Sequence, residues 1–179
     1  MLISGAHLIV ELKAISKQAI PSALAKAQRY RLMNDPQNAE SICRDVLRAD
    51  SQNQEALVLL VLALTDQFGK ELRVAVHHAQ EVLPRIRDEY ERTYYGGVIC
   101  ERWAKAQLEQ GAPGYVAYDW FCRALDSFEQ AQAGSPPGND DAILRWNACA
   151  RIMKRNEQIR PKPQDQSIEA GFEDEVPYR

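Results

Sequence analysis

Histidine is scarce in this chain, with three in 179 residues. A Ser, His and Asp cluster therefore has little to draw on, and none stands out. No glycine-rich phosphate loop is present either. The Gly96-Gly97 pair falls inside a helical stretch, where close helix packing accounts for at least one of the two. Period-two alternation is missing, which argues against half-buried strands. The four cysteines, Cys43, Cys100, Cys122 and Cys149, form no CxxC pair, and each sits in an apolar helical context. They read as reduced, buried thiols and not as a disulfide framework. Charge of one sign is also lacking: the net charge of -3 supplies no basic field to hold nucleic acid. Glu11 and Lys13 cut the apolar run after Leu8, Ile9 and Val10, so no segment is long enough to span a bilayer. The opening Met1–Gly5 lacks the basic region of a signal peptide. The expectation is a cytoplasmic protein, not an enzyme, with no cofactor, no metal, no nucleic acid and no membrane among its partners.

What is present is helix. Ala, Leu, Gln, Arg and Glu are abundant, and apolar residues recur with period 3.6. Leu8, Ile9, Leu12 and Ile15 give one face of a short N-terminal helix. Pro21 opens a second, which reaches about Met33. Asn34-Asp35-Pro36 is a break in which Asp35 suits an N-cap and Pro36 the first helical position; a third helix follows to about Ala49. Ser51 with Gln54 fits a capping box for the fourth, which ends near Phe68 with Gly69 as a left-handed terminator. A fifth runs from about Glu71 to Leu83, where Pro84 interrupts. Asp88 with Glu91 is another capping box, opening a long sixth helix to about Gln110. Gly111-Ala112-Pro113-Gly114 stops it, and a seventh spans about Tyr115 to Ala133. The loop Gly134–Gly138 follows, and Asn139 caps an eighth that reaches about Asn156. The chain thus divides into an N-terminal helical segment (1–19), a helical domain (20–156) and a flexible C-terminal tail (157–179) without periodicity.

The breaks lie about 15 residues apart, and the small-residue pattern returns about 34 residues later, which is the spacing of a helix–turn–helix repeat. Ala27, Tyr30 and Ala39 occupy a small, an aromatic and a small position, with Cys43 and Val46 after them. Leu57, Leu60, Val61 and Leu64 begin a second copy, continued by Ala75, Ala79 and Val82. Ala117, Phe121 and Ala124 mark a third, with either Gly96 or Ala104 as the small residue on its long first helix. On these residues the chain resembles the tetratricopeptide repeat family over roughly residues 20 to 153. The resemblance implies an all-α, right-handed superhelix of antiparallel helix hairpins, about three repeats and a closing helix carrying Leu144, Ala148 and Ile152.

The resemblance also implies that the first helix of each repeat lines a concave groove. That would expose Leu24, Gln28 and Arg31, then Val58, Leu62 and Thr65, and from the long helix Tyr90, Tyr94 and Glu101. One branch of the family grips C-terminal carboxylates with cationic and amide side chains, but Leu24 and Val58 stand at corresponding places here. An apolar groove suits an amphipathic helix or an extended apolar segment, which could be the chain's own N-terminal helix. The expected function is a scaffold or adaptor for another protein, or alternatively a small cytoplasmic chaperone for a secretion or assembly client. The open end after Ile152 leaves room for a homo-oligomer. His77 or His78 with Glu81 shares a helix face, yet two such residues fall short of a metal site, and a surface pair is the simpler reading. In the tail, Ile168, Phe172, Val176 and Tyr178 among acidic residues could dock on a partner.

Overall fold

The structure is a computed structural model, and it describes residues 11–69 and 72–162. Among them the secondary structure is all-helical: α1 (Ile20–Leu32), α2 (Pro36–Ala49), α3 (Gln54–Thr65), α4 (Leu72–Val82), α5 (Glu89–Glu109), α6 (Gly114–Ala133) and α7 (Asp141–Arg155). Each helix packs on the next in sequence, and α1 also touches α3, as α3 does α5.

The turns follow from their residues. Asp35 accepts a hydrogen bond from the Asn38 amide at 3.4 Å, and Pro36 takes the first helical position, where its missing N–H leaves nothing unpaired. Asn34 adopts φ 59°, and the amides of Asn34 and Asp35 donate back to Arg31 and Tyr30. This is a left-handed helix stop carried by Asn in place of Gly. Gly111, at φ 77°, closes α5 in the same way, with Ala112 donating to Gln107. Pro84 sits in a single 3₁₀ turn, Leu83–Arg85, that ends the α4 segment.

Several expectations about the ends change. α3 is capped by Asn53, whose side chain accepts from the Ala56 amide at 2.9 Å, and not by Ser51. The reason is local: Asp50 engages the Gln52 amide and the Asn53 side chain, forming a turn that delays the helix by two residues. Gly69 is not left-handed, because α3 ends earlier, at Thr65, and the chain turns over Asp66–Gly69. Asp88 does cap α5, accepting from the Glu91 amide at 2.7 Å. Glu11–Ser16 form no helix, and only Lys17–Ala19 make a 3₁₀ turn. Leu12 and Ile15 therefore share no helical face, while Leu8 and Ile9 lie outside the described residues.

Two hydrophobic clusters make the core, and α5 is their common wall. The first joins Leu24 and Ala27 of α1, Ala39, Cys43 and Val46 of α2, Leu57, Leu60 and Leu64 of α3, and Ala75 and Ala79 of α4 to Ile99, Trp103 and Ala106 of α5. The second joins Val98 and Ala104 of α5 to Ala117, Phe121, Ala124 and Phe128 of α6 and to Ala142 and Cys149 of α7. Each large side chain buried this way contributes about 1.5–3 kcal/mol, and the small residues let the helices approach closely enough for it. Gly97 is one such close approach: a Cβ there would lie 2.7 Å from Cε1 of Phe128. Burial pushes the Cys43 and Cys149 thiols up to about 12, so both stay protonated and act as small apolar side chains.

On α7 the core side is carried by Ala142 and Cys149, with Ile152 and Met153 packed against the cluster; Leu144 is 63% exposed. Of the expected face, Ile152 therefore packs inward while Leu144 turns to solvent. Beyond α7 the chain does not leave the fold at once. Ile159 is buried in the second cluster, and a Cβ on Gly114 would lie 1.9 Å from the Gln158 carbonyl oxygen. The first residues of the expected tail thus close over the start of α6. Ile168, Phe172, Val176 and Tyr178 lie outside the described residues.

Candidate functional site

α1, α3 and α5 run side by side in register. Near the end of α1, Arg31 reaches Asp66, just past the end of α3, with Nε 2.7 Å from Oδ2. At the start of α3, Gln54 accepts from the amide of Arg87, two residues before α5 begins, at 2.8 Å. Between these ties lies a cleft of about 400 Å³ lined by Gln28, Arg31, Gln54, Glu55, Val58, Leu59, Leu62, Glu91 and Tyr95. Its floor is apolar and its rim polar, the usual makeup of a binding surface.

Four of the nine residues selected from the sequence meet here: Gln28, Arg31, Val58 and Leu62. The other five do not line it. Leu24 is buried in the first cluster. Thr65 is buried with its hydroxyl donating to the Leu62 carbonyl at 2.9 Å and accepting from Arg102 at 2.6 Å. Tyr90 and Tyr94 stack 5.9 Å apart and pack on the second cluster. The Tyr90 hydroxyl is buried near Asn139 and Ser135 without closing a hydrogen bond to either. Glu101 is 1% exposed and binds Lys105 and Arg145, the latter at 3.0 Å.

Sequence reasoning missed Gln54, Glu55, Leu59, Glu91 and Tyr95. On α3 the signal was present, since Gln54, Val58 and Leu62 are successive i, i+4 positions on one stripe. On α5 the stripe was chosen one residue too early: Glu91 and Tyr95 face the cleft, where Tyr90 and Tyr94 were expected.

The electrostatics of the cleft are uneven along its length. Asp66 holds both Arg31 and Arg102, tying α1 and α5 to the end of α3. Burial lowers the Arg102 pKa and the Asp66 carboxylate opposes that shift, so the guanidinium remains charged at any ordinary pH. At the other end, burial first and Asp88 second raise the Glu91 carboxyl above the usual carboxylate range. Burial also pushes Tyr95 up to about 12, with Glu91 adding to the effect, which keeps its phenol a neutral hydrogen-bond donor.

His77 and Glu81 are both exposed and form a long pair at 3.5 Å. Among the described residues no three His, Cys, Asp or Glu side chains converge as a metal-holding group, and no helix is long and apolar enough to cross a membrane. Compared with known protein families, with curated proteins and with solved structures, the chain matches none.

Proposed function

We propose that the protein is a non-enzymatic scaffold, a tetratricopeptide-like array whose cleft between α1, α3 and α5 holds a helical or extended segment of a partner protein. The observation that carries this reading is the convergence of Gln28, Arg31, Val58 and Leu62, from two helices, on one open apolar-floored cleft. What supports the repeat arrangement is the packing of each helix on its successor together with the contacts of α1 with α3 and α3 with α5, the neighbour-only contact pattern of a solenoid. A segment laid in such a cleft would set its apolar side chains on Val58, Leu59 and Leu62 and its polar ones against Gln28, Gln54 and Glu55.

The test is binding by a partner first captured with the intact chain and then purified. Val58→Glu with Leu62→Glu should weaken that binding at least tenfold, about 1.4 kcal/mol or more, while the far-ultraviolet circular dichroism spectrum stays unchanged. Unaltered affinity in the double variant would remove the cleft from the function. A capture that returns a single client, insoluble without this protein, would favour the chaperone form of the same reading.

A further inference from the structure

The cleft carries opposite charge at its two ends. Glu55 and Glu91 stand where α3 and α5 begin, and Arg31 stands where α1 and α3 finish. Neither Glu55 nor Glu91 has a cationic side chain within ion-pair distance among the described residues. The nearby arginines are turned to other acceptors: Arg87 donates to Gln52 Oε1 at 3.1 Å, and Arg92 to the carbonyls of Ile86 and Arg87. At the far end, two guanidinium groups share the single carboxylate of Asp66, which leaves one positive charge in excess. Arg31 uses only its Nε in that pair, and its two terminal amino groups have no acceptor among the described residues. Between the ends run Val58, Leu59, Leu62 and Tyr95. From Gln54 to Leu62 the α3 axis rises about 12 Å, two turns of helix.

We propose that the occupant of this cleft is a short amphipathic helix of a partner protein, bearing carboxylates in its first turn and Lys or Arg in its last, and lying antiparallel to α3. This rests on the reading of the cleft as a binding groove and names the chemistry of what it holds. The antiparallel sense follows from two constraints met together. The partner's acidic first turn meets Arg31 and its basic last turn meets Glu55 and Glu91. The same placement of charges suits the partner's own helix dipole. An apolar stripe at i, i+3, i+4 and i+7 spans the two turns and covers Val58, Leu59, Leu62 and the Tyr95 ring. A cation from the partner would also relieve Glu91, whose carboxyl partial burial and Asp88 raise above its ordinary value.

Three stapled helical peptides with one leucine stripe test this against the intact chain by fluorescence anisotropy. One carries Glu in the first turn and Lys in the last, one carries Lys in both, and one Glu in both. The first should bind roughly tenfold more tightly than either of the others, and the gap should narrow in high salt. Glu55→Lys with Glu91→Lys should shift the preference to the peptide with Glu at both ends. A photo-crosslinker on the first residue of the preferred peptide should mark the Arg31 end. Equal affinity for all three peptides, lost on Val58→Glu with Leu62→Glu, would overturn the charge polarity and keep the cleft. Crosslinking at the Glu55 end would overturn the antiparallel sense. If no peptide binds, or the Val58 and Leu62 substitutions change nothing, the cleft reading itself falls.

Discussion

Asp66 and Glu101 each hold two cations, and the two halves of the molecule differ most clearly in how they do so. Asp66 lies at the edge of the N-terminal half, its side chain 23% exposed, gripped by Arg31 and Arg102. Glu101 lies inside the C-terminal half, its side chain 1% exposed, gripped by Lys105 and Arg145. The packing around them does not differ in kind. Rings and small residues share both clusters: Phe68 meets Trp103 edge to face in the first, and Phe121 and Phe128 lie among Ala104, Ala117, Ala124 and Ala142 in the second. What differs is the depth of the shared carboxylate, part-exposed at Asp66 and enclosed at Glu101. Charge at the surface is adjustable, and charge in the core is obligatory.

The comparison can be broken most forcefully at Glu101. Glu101→Ala strands Arg145 in a half-buried site, and losing one member of a buried pair costs about 3–5 kcal/mol. Urea titration should show a large drop in midpoint, and a drop under 1 kcal/mol would place Glu101 with Asp66 after all. Next in size is Ala39→Leu, which overpacks the contact between α2 and its neighbours and costs ~1–3 kcal/mol. A thermal melt that does not move would remove close approach as the principle of the N-terminal half. Asp66→Asn comes third, at about 1 kcal/mol or less. Its effect should shrink further in 1 M salt, while that of Glu101→Ala should persist.

The smallest expected effect concerns Glu91, and its sign is opposite. Its folded carboxyl titrates above the unfolded value, so the folded state holds the proton more tightly and stability falls as pH rises through that interval. Glu91→Gln should therefore raise Tm slightly near pH 7 and leave it unchanged near pH 3, below both values. A lower Tm at neutral pH in this variant would mean that Glu91 is paired and not strained.

How much of this was legible in the chain depends on the range of the signal. Asp35 and Pro36 announced α2, and Asp88 announced α5, because capping is local and the residues involved are three apart or fewer. Asn53 was passed over for Ser51 because the turn made by Asp50 competes for the same few residues. On α1 and α3, period 3.6 and the repeat resemblance led to Gln28, Arg31, Val58 and Leu62, but also to Leu24 and Thr65, which are buried. The α5 stripe was missed, since a helix of 21 residues has faces on two clusters and a one-residue shift moves a side chain by about 100°. Glu101 was expected on the groove side of the long helix, yet it is buried with Lys105 and Arg145. Arg145 lies 44 residues away, and only the fold brings it close. Leu144 misled for the complementary reason: it stands in an apolar pattern with Ile152, but only Ile152 packs on the core.

The double tie on Asp66 has a consequence for kinetics. With Arg31 and Arg102 anchored to one carboxylate, α1 cannot part from α5 at that end without breaking an ion pair. The width of the cleft is therefore set in the free protein. For a segment that bound there as proposed, little backbone ordering would remain to be done, and encounter would be governed by collision and long-range attraction and not by a slow rearrangement. Replacing Arg102, which does not line the cleft, would loosen that frame and slow the proposed capture although the contact surface survives.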